Sequence, residues 1–337
     1  MNILFGAIMI HIDGSLQEGG GQIIRTALTL SAITKKEVSI ENIRAGRPKP
    51  GLAAQHLTAV KAVRNVCRGT LEGAEIGSMN LVFHPGEIVG GKYDFNIGTA
   101  GSVTLVAQTL IPILLKAEKE SIIRIIGGTH VMKSPGYDYF EKVFIPAIQH
   151  MGAQVESRLV RLGFYPKGGG DIEVIVKPSE LKGTDIWPRS EQVQVIIRNS
   201  NLPLSIAIRE KKIFIQNNIE QVYIRETQDP KTGTENRTLA TGNAVTAWAG
   251  FRGAYSLGEK GKRSEVVAQE AFDEMKKEIF DVDKHLADQL LIYAALAQGK
   301  TSFETSEFTS HLKTNIEIIR KFIDRDIKMD GNKVEIV

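Results

Sequence analysis

The stretch Asp13-Gly14-Ser15-Leu16-Gln17-Glu18-Gly19-Gly20-Gly21-Gln22-Ile23-Ile24-Arg25 follows a short apolar strand and leads, through three consecutive glycines, into an amphipathic helix. Glycines there let backbone amides approach a ligand with no Cβ in the way, and a helix start favours negative charge. Arg25 lies about one turn into that helix, where a guanidinium can meet the same anion through two hydrogen bonds. A phosphate-bearing ligand is one reading of the pattern, and a plain glycine turn is the other.

Outward from this opening, a unit repeats. Strand signals at 10–12 and 38–43 alternate with helical periodicity at 22–34 and 56–67, and strands near 70–72 and 80–84 close a β-α-β-α-β-β unit. The order returns with strands at 93–97 and 121–126, helices at 103–116 and 137–151, and strands near 154–160 and 171–176. The C-terminal part reads as a third copy, with helices 284–297 and 312–324 and strands 301–304, 327–329 and 333–337. In each unit the helix pair can cover one face of a small sheet.

Residues 186–280 break the pattern, with strand signals at 192–198, 221–226 and 244–251 and helical stretches at 203–213 and 264–279. The polar run 226–236, with Pro230 and Gly233, reads as an exposed loop. The expected fold class is α+β. Three βαβαββ units form a large domain over 1–185 and 281–337, and a smaller α+β domain, 186–280, is inserted between the second and third.

The 337 residues are 42% hydrophobic and 24% charged, as in an ordinary globular protein, and suffice for a large core in two domains. A net charge of +3 gives no global field, so a polyanionic partner would need local basic patches. The single cysteine, Cys67, excludes an intramolecular disulfide framework and fits a reducing cytoplasm; its apolar helical setting predicts a buried thiol. No apolar run has the length of a membrane span. The apolar residues 1–8 lack the basic lead of a signal peptide.

A second basic segment, Arg44-Ala45-Gly46-Arg47-Pro48-Lys49-Pro50-Gly51, precedes Gln55 and His56 at the start of another helix. Charged loops are usually solvated, but prolines restrict where these arginines point, as an anion site requires. None of the seven histidines has a compact metal-ligand spacing. His84, His130 and His150 read as surface or satisfied core groups. His311, after Thr309-Ser310, stands at a helix start, where the dipole keeps an imidazole neutral and nucleophilic; a plain first helical residue is the competing reading.

The run from Ile12 through Ala62 resembles the RNA 3'-terminal phosphate cyclase family in its catalytic, archaeal-type branch. The resemblance continues at Gly98-Thr99-Ala100-Gly101-Ser102, Gly163-Phe164-Tyr165-Pro166-Lys167-Gly168-Gly169-Gly170, His285-Leu286-Ala287-Asp288-Gln289-Leu290 and His311-Leu312-Lys313-Thr314-Asn315-Ile316. It is weakest between about 185 and 279, and Met9-Ile10-His11-Ile12-Asp13-Gly14 looks like the family's usual opening. Residues 1–8 therefore read as an upstream extension or as a start codon assigned too early.

The resemblance implies an ATP-dependent ligase in which His311 is adenylylated, the AMP passes to an RNA 3'-phosphate, and the ribose 2'-OH closes a 2',3'-cyclic phosphate. It implies ATP contacts from Gln108, Pro135, His285, Leu286, Ala287, Asp288 and Gln289, and phosphate contacts from Arg25, Arg44, Arg47, Gln55 and His56. Glu18 is the implied ligand of a Mg²⁺ or Mn²⁺ ion. His285 stands where relatives often carry a tyrosine. The partners implied are RNA with a 3'-phosphate end and ATP, with no membrane; a homodimer is one of the assemblies it allows.

Lys260-Gly261-Lys262-Arg263 is read as a solvated turn, with RNA contact as its alternative; the Lys167 loop, with three glycines after it, is read as structural, with a phosphate cradle as its alternative, though its order is not that of a Walker P-loop. Two other functions compete. One is a non-catalytic RNA-binding scaffold of ribosome assembly with the same fold, which the presence of His311, Asp288 and Gln108 disfavours. The other is an enolpyruvyl transferase, whose family is built from similar units.

Overall fold

The computed structural model describes residues 9–17, 19–227 and 240–337. Strand β1 (Ile10–Asp13) pairs parallel with β2 (Val38–Glu41) because helix α1 (Gly21–Thr34) crosses between them. Ile23, Ile24, Ala27, Leu28 and Leu30 of α1 are buried at helical spacing. Helix α2 (Ala54–Val66) leads to β3 (Thr70–Glu72) and β4 (Leu81–His84), and β4 inserts antiparallel between β2 and β3. The sheet order is β1-β2-β4-β3.

The next sheet has the same order and the same strand senses. β5 (Lys92–Asn96) runs parallel to β6 (Ser121–Gly127) across α3 (Val103–Leu114), and β7 (Gln154–Arg161) and β8 (Gly170–Lys177) give β5-β6-β8-β7. The single helix expected over 137–151 is instead α4 (Tyr137–Tyr139), a π-helical turn (Phe140–Phe144) and α5 (Ile145–His150). Pro146 lacks the amide that would bond one turn back, which fits the wider turn. The Phe140 and Phe144 rings stack at 5.3 Å within it.

β9 (Gln194–Ser200), α6 (Leu204–Gln216), β10 (Gln221–Thr227), β11 (Gly242–Ala249), β12 (Arg252–Leu257) and α7 (Ser264–Lys277) form a sheet of order β10-β9-β11-β12 with its helices. Val195, Ile197, Phe214, Val245 and Ala268 make a separate core there. The expected strand 244–251 is corrected to a hairpin: Ala249 pairs with Arg252 around Gly250, whose φ of 59° suits a tight turn. Most of the polar run 226–236 lies outside the described residues.

The C-terminal part comprises α8 (Lys284–Leu296), β13 (Thr301–Glu304), α9 (Ser310–Phe322), β14 (Ile327–Asp330) and β15 (Lys333–Ile336), with sheet order β13-β15-β14. The remaining edge of β13 is met by backbone arriving from β8. Gly183 N–H donates to Gln298 O (2.7 Å), and Ser302 N–H donates to Thr184 O (3.0 Å). Val282, just before α8, forms a parallel bridge with Thr305. α1 packs on α2, α3 and α9, and α8 on α9, so that Ile23, Val63, Leu110, Leu291 and Ile318 share one core. Cys67 is buried in it. Among the described residues no helix is long and apolar enough to cross a membrane.

Candidate active site

Where α1, α3 and α8 meet, Gln22, Arg25 and Thr26 face Gln108 of α3 and Gln289 and Tyr293 of α8 across a cleft. The Gln108 amide donates to Gln289 Oε1, and Gln289 Nε2 donates to His285 O at 2.7 Å. One turn before Gln108, the Thr104 hydroxyl donates to Pro135 O (2.8 Å), which brings Pro135 to the start of the same helix.

From Arg25 a continuous run of hydrogen bonds crosses three helices. Arg25 Nη2 donates to Gln22 Oε1 (2.6 Å), Gln22 Nε2 to Thr26 Oγ1 (3.0 Å), and Thr26 Oγ1 to Asn315 Oδ1 (2.7 Å). Asn315 Nδ2 donates to Asp288 O (2.9 Å), and Thr309 Oγ1 donates to Asp288 Oδ1 (2.5 Å) while accepting from Leu312 N (3.0 Å). Thr26, Asn315 and Asp288 are buried. The run ends in the first turn of α9, which carries a half-buried His311. His311 and Asn315 stand one helical turn apart on one face.

α9 begins at Ser310 with Thr309 as its cap, so His311, its second residue, stands in the first turn of a helix, at the helix start that the sequence suggests. α8 begins at Lys284, where the sequence reading starts it, and is capped by Asp283, which leaves Asp288 beyond the first turn. Asp283 accepts from His285 N, Leu286 N, Gly253 N and the Tyr139 hydroxyl, yet its burial pushes the carboxyl up to about 6. Leu286 and Ala287 are fully buried, backbone included, whereas His285 is exposed.

His56 reaches the start of α1. A Cβ added to Gly21 would lie 2.3 Å from His56 Nε2 and 3.1 Å from Arg25 Nη1, so glycine is required for the ring to sit there. Ala53 N–H donates to His56 Nδ1 (3.3 Å), which puts the proton of the neutral ring on Nε2, facing α1. Burial, then the charges of Arg25 and Arg44, push the imidazole pKa down to about 3. Arg44, at φ 54°, donates from Nη1 to Gly51 O (2.6 Å), and burial and the nearby Arg47 lower its own pKa. Two guanidiniums and a neutral imidazole thus crowd a glycine-lined helix start, an arrangement that favours an anion.

Gln55 accepts from Ser102 N (2.7 Å) and so joins α2 to the cap of α3. Glu18 lies outside the described residues. Among the described residues no three His, Cys, Asp or Glu side chains gather as a metal site. His130 is a satisfied core group, its Nδ1 2.9 Å from Thr129 Oγ1 and its Nε2 3.0 Å from Asp138 Oδ2. Lys262, in the turn before α7, donates to Glu270 Oε2 (2.5 Å). The sequence reading gives no role to Gln22, Thr26 or Asn315. Their signal in the sequence is polar residues at helical spacing on otherwise apolar faces.

A family model described as RNA 3'-terminal phosphate cyclase matches residues 16–329. Three similar proteins carry that name. The one from Archaeoglobus fulgidus is 44% identical over 97% of this chain and 99% of its own. The one from Sulfurisphaera tokodaii is 42% identical over 96% and 97%, and the one from Methanococcoides burtonii 38% identical over the same shares. Among solved structures, an EPSP synthase from Acinetobacter baumannii aligns with a TM-score of 0.42 at 13% identity, over 98% of this chain and 46% of that one. The match of the family model and the relatives' near-complete coverage lead to one conclusion: the chain belongs to the RNA 3'-terminal phosphate cyclase family.

Proposed function

We propose that this protein converts an RNA 3'-terminal phosphate to a 2',3'-cyclic phosphate at the expense of ATP, with His311 as nucleophile. A nitrogen of His311 bonds to the α-phosphorus of ATP as the bond to the β-phosphate oxygen breaks, and pyrophosphate leaves. An oxygen of the RNA 3'-phosphate then takes the AMP, the P–N bond breaks, and the imidazole is regenerated. Finally the ribose 2'-OH attacks the RNA 3'-phosphorus, loses its proton and expels AMP. This last step is intramolecular, so proximity supplies much of its rate.

The observation that carries the reading is the hydrogen-bonded run from Arg25 to the cap of α9, which ties an anion-favouring helix start to the turn bearing His311. On this reading Arg25, Arg44, Arg47 and His56 hold phosphate and Gln55 braces them. Gln108, Pro135, His285, Asp288 and Gln289 border the nucleotide. A divalent ion, held by the ATP phosphates with Glu18 as protein ligand, would neutralise phosphate charge. On this reading the two sheets of identical order are two βαβαββ units, and the C-terminal αβαββ part, with its three-stranded sheet, is the third unit of a large domain, with 186–280 inserted as a smaller one.

Incubation with α-labelled ATP and Mg²⁺, followed by a denaturing gel, tests this. The parent protein is expected to carry an alkali-stable, acid-labile label that His311→Ala lacks. No label on the parent across metals and nucleotides would replace the enzyme by an RNA-binding scaffold.

A further inference from the structure

The loop between β7 and β8 has no part in these steps, yet its construction is specific. Phe164 is buried and stacks on His130 with ring centroids 5.4 Å apart. Gly168 N–H donates to Phe164 O (2.7 Å), and Arg161 Nε donates to Gly169 O (2.5 Å). Gly168 is at φ 63°, and a Cβ on it would lie 2.8 Å from Ala100 Cα and 2.9 Å from Thr99 O. The base of the loop is therefore locked onto the 99–101 turn.

Its tip is not packed. Tyr165 is 77% exposed, and Pro166 and Lys167 are exposed beside it. A large aromatic ring held out on a rigid base offers contact area at little entropic cost. The turn beneath belongs to the anion-favouring group: Ser102 N–H donates to Gln55, a Cβ on Gly101 would lie 2.9 Å from Gln55 Cβ, and the next residue, His56, touches Gly21 and Arg25. An exposed ring and an exposed lysine on one tip, near the grip on a terminal phosphate, suit single-stranded nucleic acid. A base stacks on the one and a backbone phosphate meets the other.

We infer that the exposed 165–167 tip is a docking platform for the RNA chain, with Tyr165 stacking a base upstream of the terminal phosphate and Lys167 contacting the backbone. The inference rests on reading Arg25, Arg44 and His56 as the 3'-phosphate grip. Tyr165→Ala, Tyr165→Phe and Lys167→Gln would be compared with the parent in three assays: labelling by α-labelled ATP without RNA, cyclisation of a single-stranded 3'-phosphorylated oligoribonucleotide, and cyclisation of a nucleoside 3'-phosphate. Tyr165→Ala should leave labelling and the nucleoside KM unchanged and raise the oligonucleotide KM about 5- to 100-fold, as loss of one stacked base does. Tyr165→Phe should restore it. Lys167→Gln should lower the salt slope of oligonucleotide binding by about 0.7.

An oligonucleotide KM unchanged in Tyr165→Ala would overturn the platform, and so would loss of labelling, which would mark a structural role. If the parent neither labels nor cyclises, the enzymatic reading fails by itself. The platform is then read from fluorescence anisotropy with the same oligonucleotide, where equal affinity of parent and Tyr165→Ala overturns it and weaker binding by the variant supports it.

Discussion

The His56 ring is pressed between the glycine start of α1 and two guanidiniums, so protonating it would bury a third positive charge among them. Its pKa of about 3 in the fold, against an ordinary 6.5, means that neutral His56 contributes stability above pH 6.5, which is lost as pH falls toward 3. Replacement by Gln should flatten that part of the stability curve in urea titrations at successive pH values. An anion seated against Arg25 and Arg44 would offset their charge. Inorganic phosphate is therefore expected to move the His56 titration upward in imidazole NMR spectra, and no movement at saturating phosphate would argue against an anion site. The basic residues were legible from their types and their glycine and proline neighbours. That His56 rests on Gly21 was not, because a contact between two helices depends on how the sheet brings them together.

At the scale of elements, α1, α8 and α9 meet along a polar seam centred on Asn315, which accepts from Thr26 and donates to Asp288 O. Asn315→Ala would take the acceptor from the buried Thr26 hydroxyl and the side-chain donor from Asp288 O, at a cost of about 1–3 kcal/mol. A lower urea midpoint and slower labelling by α-labelled ATP are expected, and an unchanged midpoint would show that the seam is not stabilising. Apolar periodicity made the helices themselves legible. The start of α9 was less so: Thr309 caps by bonding to the amide three residues on, so the helix begins ahead of its apolar stripe. The β11–β12 hairpin was missed for a related reason, since Gly250 turns the chain inside a stretch that alternates like one strand.

For the molecule as a whole, the joint between the 194–277 core and the β5–β8 sheet combines a small apolar cluster around Phe164 and Ala244 with a buried ionic group. Arg198 of β9 donates to both oxygens of the fully buried Asp138 (2.6 and 2.9 Å), and His130 Nε2 approaches Asp138 Oδ2 at 3.0 Å. Burial works to raise the Asp138 pKa, but the charge of Arg198 and these hydrogen bonds outweigh it and hold the carboxyl well below its usual range. Burial leaves the His130 ring below its ordinary value despite that carboxylate. Arg198→Met strands a buried charge and is expected to cost about 3–5 kcal/mol. Arg198→Met with Asp138→Leu should recover part of it, as read by thermal unfolding. A Tm unchanged in the single variant would show that the ionic group carries no stability. His130 was legible as a core histidine, but its partners were not, because Arg198 comes from the stretch whose place in the fold the sequence left least defined.

The chain quits the edge of β13 opposite Ser302 and rejoins it opposite Thr305, two points roughly 10 Å apart along a strand. Everything between is an excursion with both feet on one ledge. Because closing a longer loop between fixed points adds little entropy, the ledge tolerates an excursion of almost any length. Such a stretch can be exchanged between relatives while the seam around Asn315 keeps its register, and this gives a physical reason for the resemblance to the family fading over that part of the chain.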